Sequence, residues 1–118
     1  MVTQQTAIAI AYDLINAIRA SGFPLRKAVL FGSFARNEQH KHSDIDLALV
    51  ADEFTGNPYF DTQHIVKELV SDKRFYDIET HTFNFDRFEK GGIFIDEIKR
   101  TGIVLFSDVE EPAHLQAA

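Results

Sequence analysis

The chain of 118 residues contains no cysteine, which excludes several kinds of chemistry at once. Without thiols there can be no disulfide, no thiolate nucleophile and no zinc–thiolate site. The sequence also has no apolar run near the roughly 20 residues that a bilayer-spanning helix needs. Its N-terminus lacks the basic and then apolar segments of a secretion signal. We therefore expect a soluble, cytoplasmic protein that does not bind membranes.

Basic residues are also scarce, since Lys and Arg together number 12 against 18 Asp and Glu, for a formal net charge of -6. A protein that holds duplex nucleic acid by its phosphates needs a basic surface, so nucleic acid is not an expected partner. One nucleoside triphosphate stays compatible with this charge if metal ions meet its phosphates. The sequence has no Walker A, G-x-G-x-x-G or H-E-x-x-H motif, which removes the usual kinase, dinucleotide-binding and zinc-protease interpretations.

The hydrophobic pattern predicts one domain over residues 1–106, followed by a flexible tail over 107–118 that has no pattern. Helices are predicted over 6–21, 58–71 and 93–101, with short helical turns after Ser33 and within 84–92. Gly102 is expected to end the last helix in a left-handed conformation. The predicted strands are 27–31, 44–50, 76–83 and 103–106. This order indicates an α/β (α+β) domain, with a small mixed β-sheet and helices mainly on one side.

The predicted helix over 58–71 is expected to begin with Asn57 as its cap and Pro58 at its first position. Its spacing indicates that four apolar side chains face the core, namely Phe60, Ile65, Val66 and Leu69.

Two aspartates interrupt the otherwise apolar strand over 44–50. Asp44 and Asp46 are two residues apart, so both carboxylates project from one face of a regular strand, with Cβ atoms about 6 to 7 Å apart. Carboxylates this close repel each other unless a cation lies between them, and Mg²⁺ prefers oxygen ligands. The alternative is that this face is simply the solvent side of an antiparallel strand, which is the commoner case for such a pair alone.

Gly32 and Ser33 stand at the end of the preceding strand and at the start of a short helical turn. Backbone N–H groups at such a position favour an anion, and glycine lets the chain approach a phosphate closely. A phosphate cradle and an acid pair on adjacent strands would form the two halves of one nucleotide site.

The spacing of these two elements resembles that of a known superfamily. Gly32-Ser33, ten intervening residues and then Asp44-Ile45-Asp46 are similar to the signature of the polymerase-β-like nucleotidyltransferases. The string "FGSFAR…SDIDLALV" resembles the minimal nucleotidyltransferase (MNT) branch in particular, and the resemblance implies a nucleotidyltransferase core. Asn37 replaces the glycine that usually follows the arginine in this family. Asparagine also tolerates left-handed backbone, so the turn is expected to survive.

The family places a third acid on a neighbouring strand, and "FYDIETHTF" offers Asp77 and Glu79. Both acids share one face if the strand is regular, so alternation alone cannot separate them. Asp77 is favoured because Tyr76 and Ile78 give it the family's apolar–Asp–apolar surroundings, while the longer Glu79 is the alternative. If neither reaches a metal, both are solvent-facing acids.

Arg36 and Ser43 complete the predicted nucleotide-binding set with Gly32 and Ser33. Arg36 follows Ser33 by three residues, so a helical turn puts both on one side, where Arg36 contacts a phosphate or pairs with a surface acid. Ser43 belongs to the same site or bonds locally to the backbone at the start of the strand. The loop histidines His40 and His42 are weak evidence for a metal, and His64 and His81 have no motif around them.

The resemblance implies a Mg²⁺-dependent nucleotidyltransferase of the EC 2.7.7 type, which moves a nucleoside monophosphate onto a hydroxyl of a protein or small molecule. The donor would be ATP or another nucleoside triphosphate, with AMP the expected group. Two Mg²⁺ ions would be held by Asp44, Asp46 and Asp77, with Gly32 and Ser33 at the β- and γ-phosphates.

Minimal nucleotidyltransferases often act beside a helical HEPN protein, as the antitoxin of a toxin–antitoxin pair, and the resemblance implies such a partner here. The alternative is a weak or inactive binding module that neutralises a helical partner by contact. A homodimer is left open.

Overall fold

The computed structural model describes residues 2–109 and begins with a long helix, α1 (Gln4–Ala20). Thr3 caps this helix, since its side-chain oxygen accepts a hydrogen bond from the Thr6 N–H. The helix buries one apolar face, as its spacing predicted; the buried residues are Ala7, Ile10, Ala11, Leu14, Ile15 and Ile18.

A four-stranded sheet forms the centre of the fold, in the spatial order β3-β2-β1-β4. β2 is antiparallel to β1 and parallel to β3, and β4 is antiparallel to β1, which confirms the predicted mixed sheet. The strand bounds are β1 (Lys27–Phe31), β2 (Ile45–Ala51), β3 (Ile78–Asn84) and β4 (Ile103–Ser107).

Helices cover both faces of the sheet rather than mainly one. Leu47 and Leu49 of β2 belong to the core cluster that contains the buried face of α1. Ala48 and Val50 point to the opposite face, where Phe88 and Ile98 cover them. These two residues belong to α4 (Phe85–Lys90) and α5 (Ile93–Thr101). β2 is apolar on both faces from Leu47 onward, so both faces need a cover.

The connection from β2 to β3 differs from the continuous helix predicted over 58–71. It consists of α2 (Pro58–Asp61), a 3₁₀ turn (Thr62–His64) and α3 (Val66–Leu69). The predicted cap is confirmed, because the Asn57 side chain accepts from the Tyr59 N–H, with Pro58 at the first position.

The predicted inward face of this segment is only partly right. Ile65 is fully buried, and Leu69 packs against the core while partly exposed. Phe60 and Val66 are 55% and 50% exposed, so their predicted burial is wrong. The 3₁₀ turn changes the angular phase between the two short helices, so one 3.6-residue period cannot describe both.

Gly102 ends α5 as predicted, but with extended backbone (φ −82°, ψ 167°) and not in a left-handed conformation. A Cβ at this position would lie 2.6 Å from Val29 Cγ1 and 3.0 Å from the Leu30 carbonyl oxygen. The close approach of α5 to β1, and not the backbone angle, therefore calls for glycine here.

The predicted tail begins inside the fold. Ser107 belongs to β4, and the Asp108 N–H donates to the Arg26 carbonyl. The rest of the predicted tail, 110–118, lies outside the described residues. Within 2–109, no helix combines the length and the apolar character that a bilayer crossing requires.

Candidate active site

The turn after β1 forms one wall of the site. Gly32 has a φ of +76°, and residues 33–37 form hydrogen-bonded turns in place of the predicted short helix. The Glu38 N–H donates to the Ser33 carbonyl at 2.8 Å. Asn37 has a φ of +56°, which confirms that it takes the left-handed conformation expected of it.

The core holds this turn in place. Phe34 is 2% exposed and belongs to the core cluster around α1. The Gln4 side-chain amide, at the start of α1, donates to the carbonyls of Phe34 and Ala35 at 3.0 and 3.3 Å. The core, through Phe34, and the start of α1, through Gln4, therefore fix the backbone after Gly32, as a preorganised binding loop requires.

Gly32 lies directly against the carboxylate of Asp46. The β1–β2 ladder pairs Phe31 with Asp46, and a Cβ on Gly32 would collide with Asp46 Oδ2. Glycine is therefore required here twice, by the positive φ and by the approach of the carboxylate. The turn and the acid belong to one site.

Strand register brings two more metal-ligating side chains to Asp46. In the parallel β2–β3 ladder, Asp46 pairs with Glu79 and Ala48 with His81, so these acids and the imidazole share one face. His81 Nε2 lies 3.3 Å from Asp46 Oδ1 and 3.8 Å from Glu79 Oε1. One ligand atom from each of the three residues lies within 4.8 Å of the others. Among the described residues, this is the one group of three or more His, Asp or Glu side chains close enough together to hold a metal ion.

Asp44 and Asp77 stand outside this group. Asp44 precedes β2, and Asp77 ends the 3₁₀ turn Lys73–Asp77 that precedes β3. Both are exposed, and they line a cavity of about 280 Å³ together with His42 and Ser43. The β2–β3 ladder begins one residue after each of them, at Ile45 and Ile78. Asp44 and Asp77 therefore lie outside the regular strands, and strand alternation does not place them on the same face as Asp46 and Glu79.

Arg36 and Ser43 have local partners. Arg36 is exposed, and its Nε donates to Glu38 Oε1 at 2.8 Å, which matches the surface-pair alternative. Ser43 Oγ accepts from the His40 N–H at 2.8 Å, and the Ser43 N–H donates to the His40 carbonyl. This is the local bonding expected of serine at the start of a strand. Their assignment to a nucleotide stays a prediction.

His81 is the member of the site that the sequence did not reveal. The signal was its position two residues after Glu79, which places both on one face of a strand. Its ring makes an edge contact with Phe31, with centroids 4.9 Å apart, and lies 6.2 Å from the ring of Phe94.

A cavity of about 420 Å³ lies on the side of Phe94. Phe83 and Phe94 line it together with Arg87 and the Gly91–Gly92 connection between α4 and α5. Phe94 also packs against Phe31, at 5.7 Å between centroids. Asp46, Glu79 and His81 do not line this cavity, and Phe94 is the lining residue that also contacts the ring of His81.

The sequence profile of the family described as "Polymerase beta, Nucleotidyltransferase" matches residues 14–111. The chain belongs to the polymerase-β nucleotidyltransferase family. A crystal structure of a candidate nucleotidyltransferase from Sulfolobus solfataricus has a TM-score of 0.64 to this chain at 20% identity, covering 89% of this chain and 84% of that one. This likeness supports the shared fold. No curated protein matches the sequence.

Nucleotidyltransferases of this family use nucleoside triphosphates and divalent metals, and the residues on the β2–β3 edge fit such an ion. Asp46 and Glu79 supply carboxylate oxygens, the ligands that divalent cations prefer. Gly32 leaves the Asp46 carboxylate room on the side of the turn. The donor set is therefore suited to a divalent cation.

Proposed function

We propose that this nucleotidyltransferase moves a nucleoside monophosphate, AMP from ATP, onto a hydroxyl of a protein or small molecule with the aid of Mg²⁺. One observation carries the proposal: the two oxygens of Asp46 face two halves of a site. Oδ2 lies against Gly32, and Oδ1 lies 3.3 Å from His81 on the Glu79 side. A single carboxylate therefore adjoins both the turn after β1, which we propose to hold the phosphates, and the metal-ligating side chains.

In the proposed site, Asp46 and Glu79 hold a divalent cation, and Asp44, exposed at the rim, serves the second ion. The geometry favours Glu79 over Asp77 as the third acid, because Glu79 and not Asp77 is in register with Asp46. Gly32 and Ser33 hold the β- and γ-phosphates through backbone N–H groups. When bound, the two ions activate the acceptor hydroxyl and offset charge on the leaving pyrophosphate.

The chain's own groups orient the reaction and move a proton. The acceptor oxygen attacks the α-phosphorus, and the bond from that phosphorus to the bridging oxygen of the β-phosphate breaks. Pyrophosphate leaves with that oxygen. Glu79, whose side chain is 56% exposed, is placed to accept the proton that the hydroxyl loses. The contribution of the fold is placement and charge compensation.

The proposed acceptor is a separate helical protein of the HEPN class, with this chain as the antitoxin. Support comes from the resemblance to minimal nucleotidyltransferases and from exposed aromatic side chains. Tyr59, Phe60 and Tyr76 are 73%, 55% and 64% exposed, and a partner could bury them. The same observation supports the alternative of a binding module that neutralises its partner without chemistry.

Calorimetric titration with Mg-ATP tests the site directly. Asp46→Asn and Glu79→Gln are expected to weaken binding, and to lower transfer by about 100-fold or more because each removes a charge that faces the phosphates. Asp77→Asn and the loop variant Glu53→Gln serve as matched controls and should stay close to wild type. Unchanged affinity and unchanged turnover in Asp46→Asn would refute the assignment.

Mass measurement separates the enzyme from the binding module. A HEPN protein incubated with this chain and Mg-ATP should gain the mass of AMP, and should not gain it with Asp46→Asn. Stable binding of the partner without any gain in mass would favour the binding module.

A further inference from the structure

The imidazole of His81 is an unusual member of a site otherwise made of carboxylates. We propose that His81 Nε2 is a third protein ligand beside Asp46 and Glu79, so that this position favours a first-row transition cation over Mg²⁺. The inference rests on the proposed function, because it names the metal of the same site.

The distances suit a shared ion. Nε2 lies 3.3 Å from Asp46 Oδ1 and 3.8 Å from Glu79 Oε1. A metal with bonds of about 2.0 to 2.1 Å separates neighbouring ligands by about 2.8 to 3.4 Å, from octahedral to tetrahedral geometry. All three ligand atoms lie within 4.8 Å of one another, and the Glu79 side chain, 56% exposed, is the one with room to rotate toward a shared ion.

The fold also holds the histidine ring in this orientation. Phe31 contacts the ring edge-on and Phe94 lies on a further side, with centroids 4.9 and 6.2 Å away. The His81 side chain is 27% exposed, and it extends from a residue paired with Ala48 in the β2–β3 ladder. A ligand held by packing loses little further freedom when the ion binds.

The chemistry of the donors decides the preference. Mg²⁺ selects oxygen ligands and gives up its waters reluctantly. An imidazole nitrogen raises affinity for transition cations, in an order that begins with Mn²⁺ as the weakest. Mn²⁺ is therefore the transition cation for which the imidazole gives the smallest advantage, so a preference for Mn²⁺ over Mg²⁺ is the strictest test of the proposal.

The test titrates the nucleotide-free protein at fixed pH with MnCl₂ and with MgCl₂. Wild type should bind Mn²⁺ at least tenfold more tightly than Mg²⁺. His81→Gln should lose about tenfold or more in Mn²⁺ affinity, while Mg²⁺ affinity changes by no more than about twofold. His64→Gln is the matched control, because His64 packs against Phe23 and Phe54, away from the acids.

Pulsed electron paramagnetic resonance of the Mn²⁺ complex gives a readout that a structural role would not move. Wild type and His64→Gln should show coupling to ¹⁴N, and His81→Gln should not. Absence of ¹⁴N coupling in wild type, or equal losses of Mn²⁺ and Mg²⁺ affinity in His81→Gln, would overturn the proposal.

These measurements contain no nucleotide and no acceptor, so the two proposals fail separately. A nitrogen-coupled Mn²⁺ site without transfer to any acceptor refutes the proposed function alone. Transfer that depends on Asp46, with no nitrogen coupling, refutes the role of His81 alone.

Discussion

At the scale of single residues, Gly32 connects the turn after β1 with the acidic face of the sheet. Its φ of +76° would strain an alanine by about 1 to 2 kcal/mol. A Cβ would also push the Asp46 carboxylate from its position. Gly32→Ala is expected to weaken Mg-ATP binding by about tenfold or more, beyond its cost in stability, because the carboxylate is worth most where it is preorganised.

Gly22→Ala is the matched control for this substitution. Gly22 has a φ of +91°, and a Cβ there would meet no atom within 4 Å. Both variants should lose stability in urea denaturation, Gly32→Ala the more because its Cβ also meets Asp46, while only Gly32→Ala loses affinity for Mg-ATP in calorimetry. Equal losses of affinity in the two variants would show that backbone strain, and not contact with Asp46, explains the effect.

The residue scale also shows where sequence reasoning stops. Asn37 could be placed in a left-handed turn because that preference belongs to the residue itself. Glu79 could not be separated from Asp77, since both have the same parity on a strand. The pairing of Ile45 with Ile78 distinguishes them, because it starts the ladder after Asp77.

At the scale of elements, buried Asp61 fastens the β2–α2 loop to β3. Its carboxylate accepts from the N–H and hydroxyl of Thr55, from the Gly56 N–H and, at 2.7 Å, from the Thr82 hydroxyl. Burial alone would raise the pKa of Asp61, but these hydrogen bonds together outweigh it and hold the pKa below its ordinary value of 3.8.

The direction of this shift predicts how stability depends on pH. Because the folded pKa is lowered, the stabilisation by Asp61 is fully present above about pH 4 and is lost as the pH falls through the folded pKa. Asp61→Asn is expected to cost about 1.5 to 3 kcal/mol at pH 7, since it weakens hydrogen bonds to a charge. The difference from wild type should shrink below pH 4.

Urea denaturation at pH 7 and at pH 3 measures this difference, with Asp86→Asn as the control on an exposed acid. A difference between wild type and Asp61→Asn that is the same at both pH values would contradict the role given to the carboxylate.

The sequence predicted the limits of an element correctly where a single physical cause determines them. β1 and α5 were predicted at their observed limits, because an apolar run and a helical period, each closed by glycine, define them. The segment 58–71 was mispredicted, because Asp61 satisfies the loop backbone at Thr55 and Gly56 and the chain beyond it changes from α to 3₁₀. Asp61 also accepts from the Thr82 hydroxyl on β3, and a contact over that separation leaves no local pattern in the sequence.

At the scale of the whole molecule, the parallel pairing of β2 with β3 creates the site. Asp46, Glu79 and His81 come from segments more than thirty residues apart, and only the spatial order β3-β2-β1-β4 makes them neighbours. Periodicity predicts which face a side chain occupies, but not which strands pair or in what register. The predicted nucleotidyltransferase core came from the motif spacing, and the family match confirms it.

The central claim is that Asp46 and Glu79 hold the divalent cation, and an anomalous difference map tests it most directly. Crystals of the full chain would be grown with Mn²⁺ and a non-hydrolysable ATP analogue, and data collected at the manganese edge. The account predicts a peak about 2.0 to 2.2 Å from carboxylate oxygens of both Asp46 and Glu79. A map whose manganese peaks lie only beside Asp44 and Asp77, or a map without a peak, would contradict it.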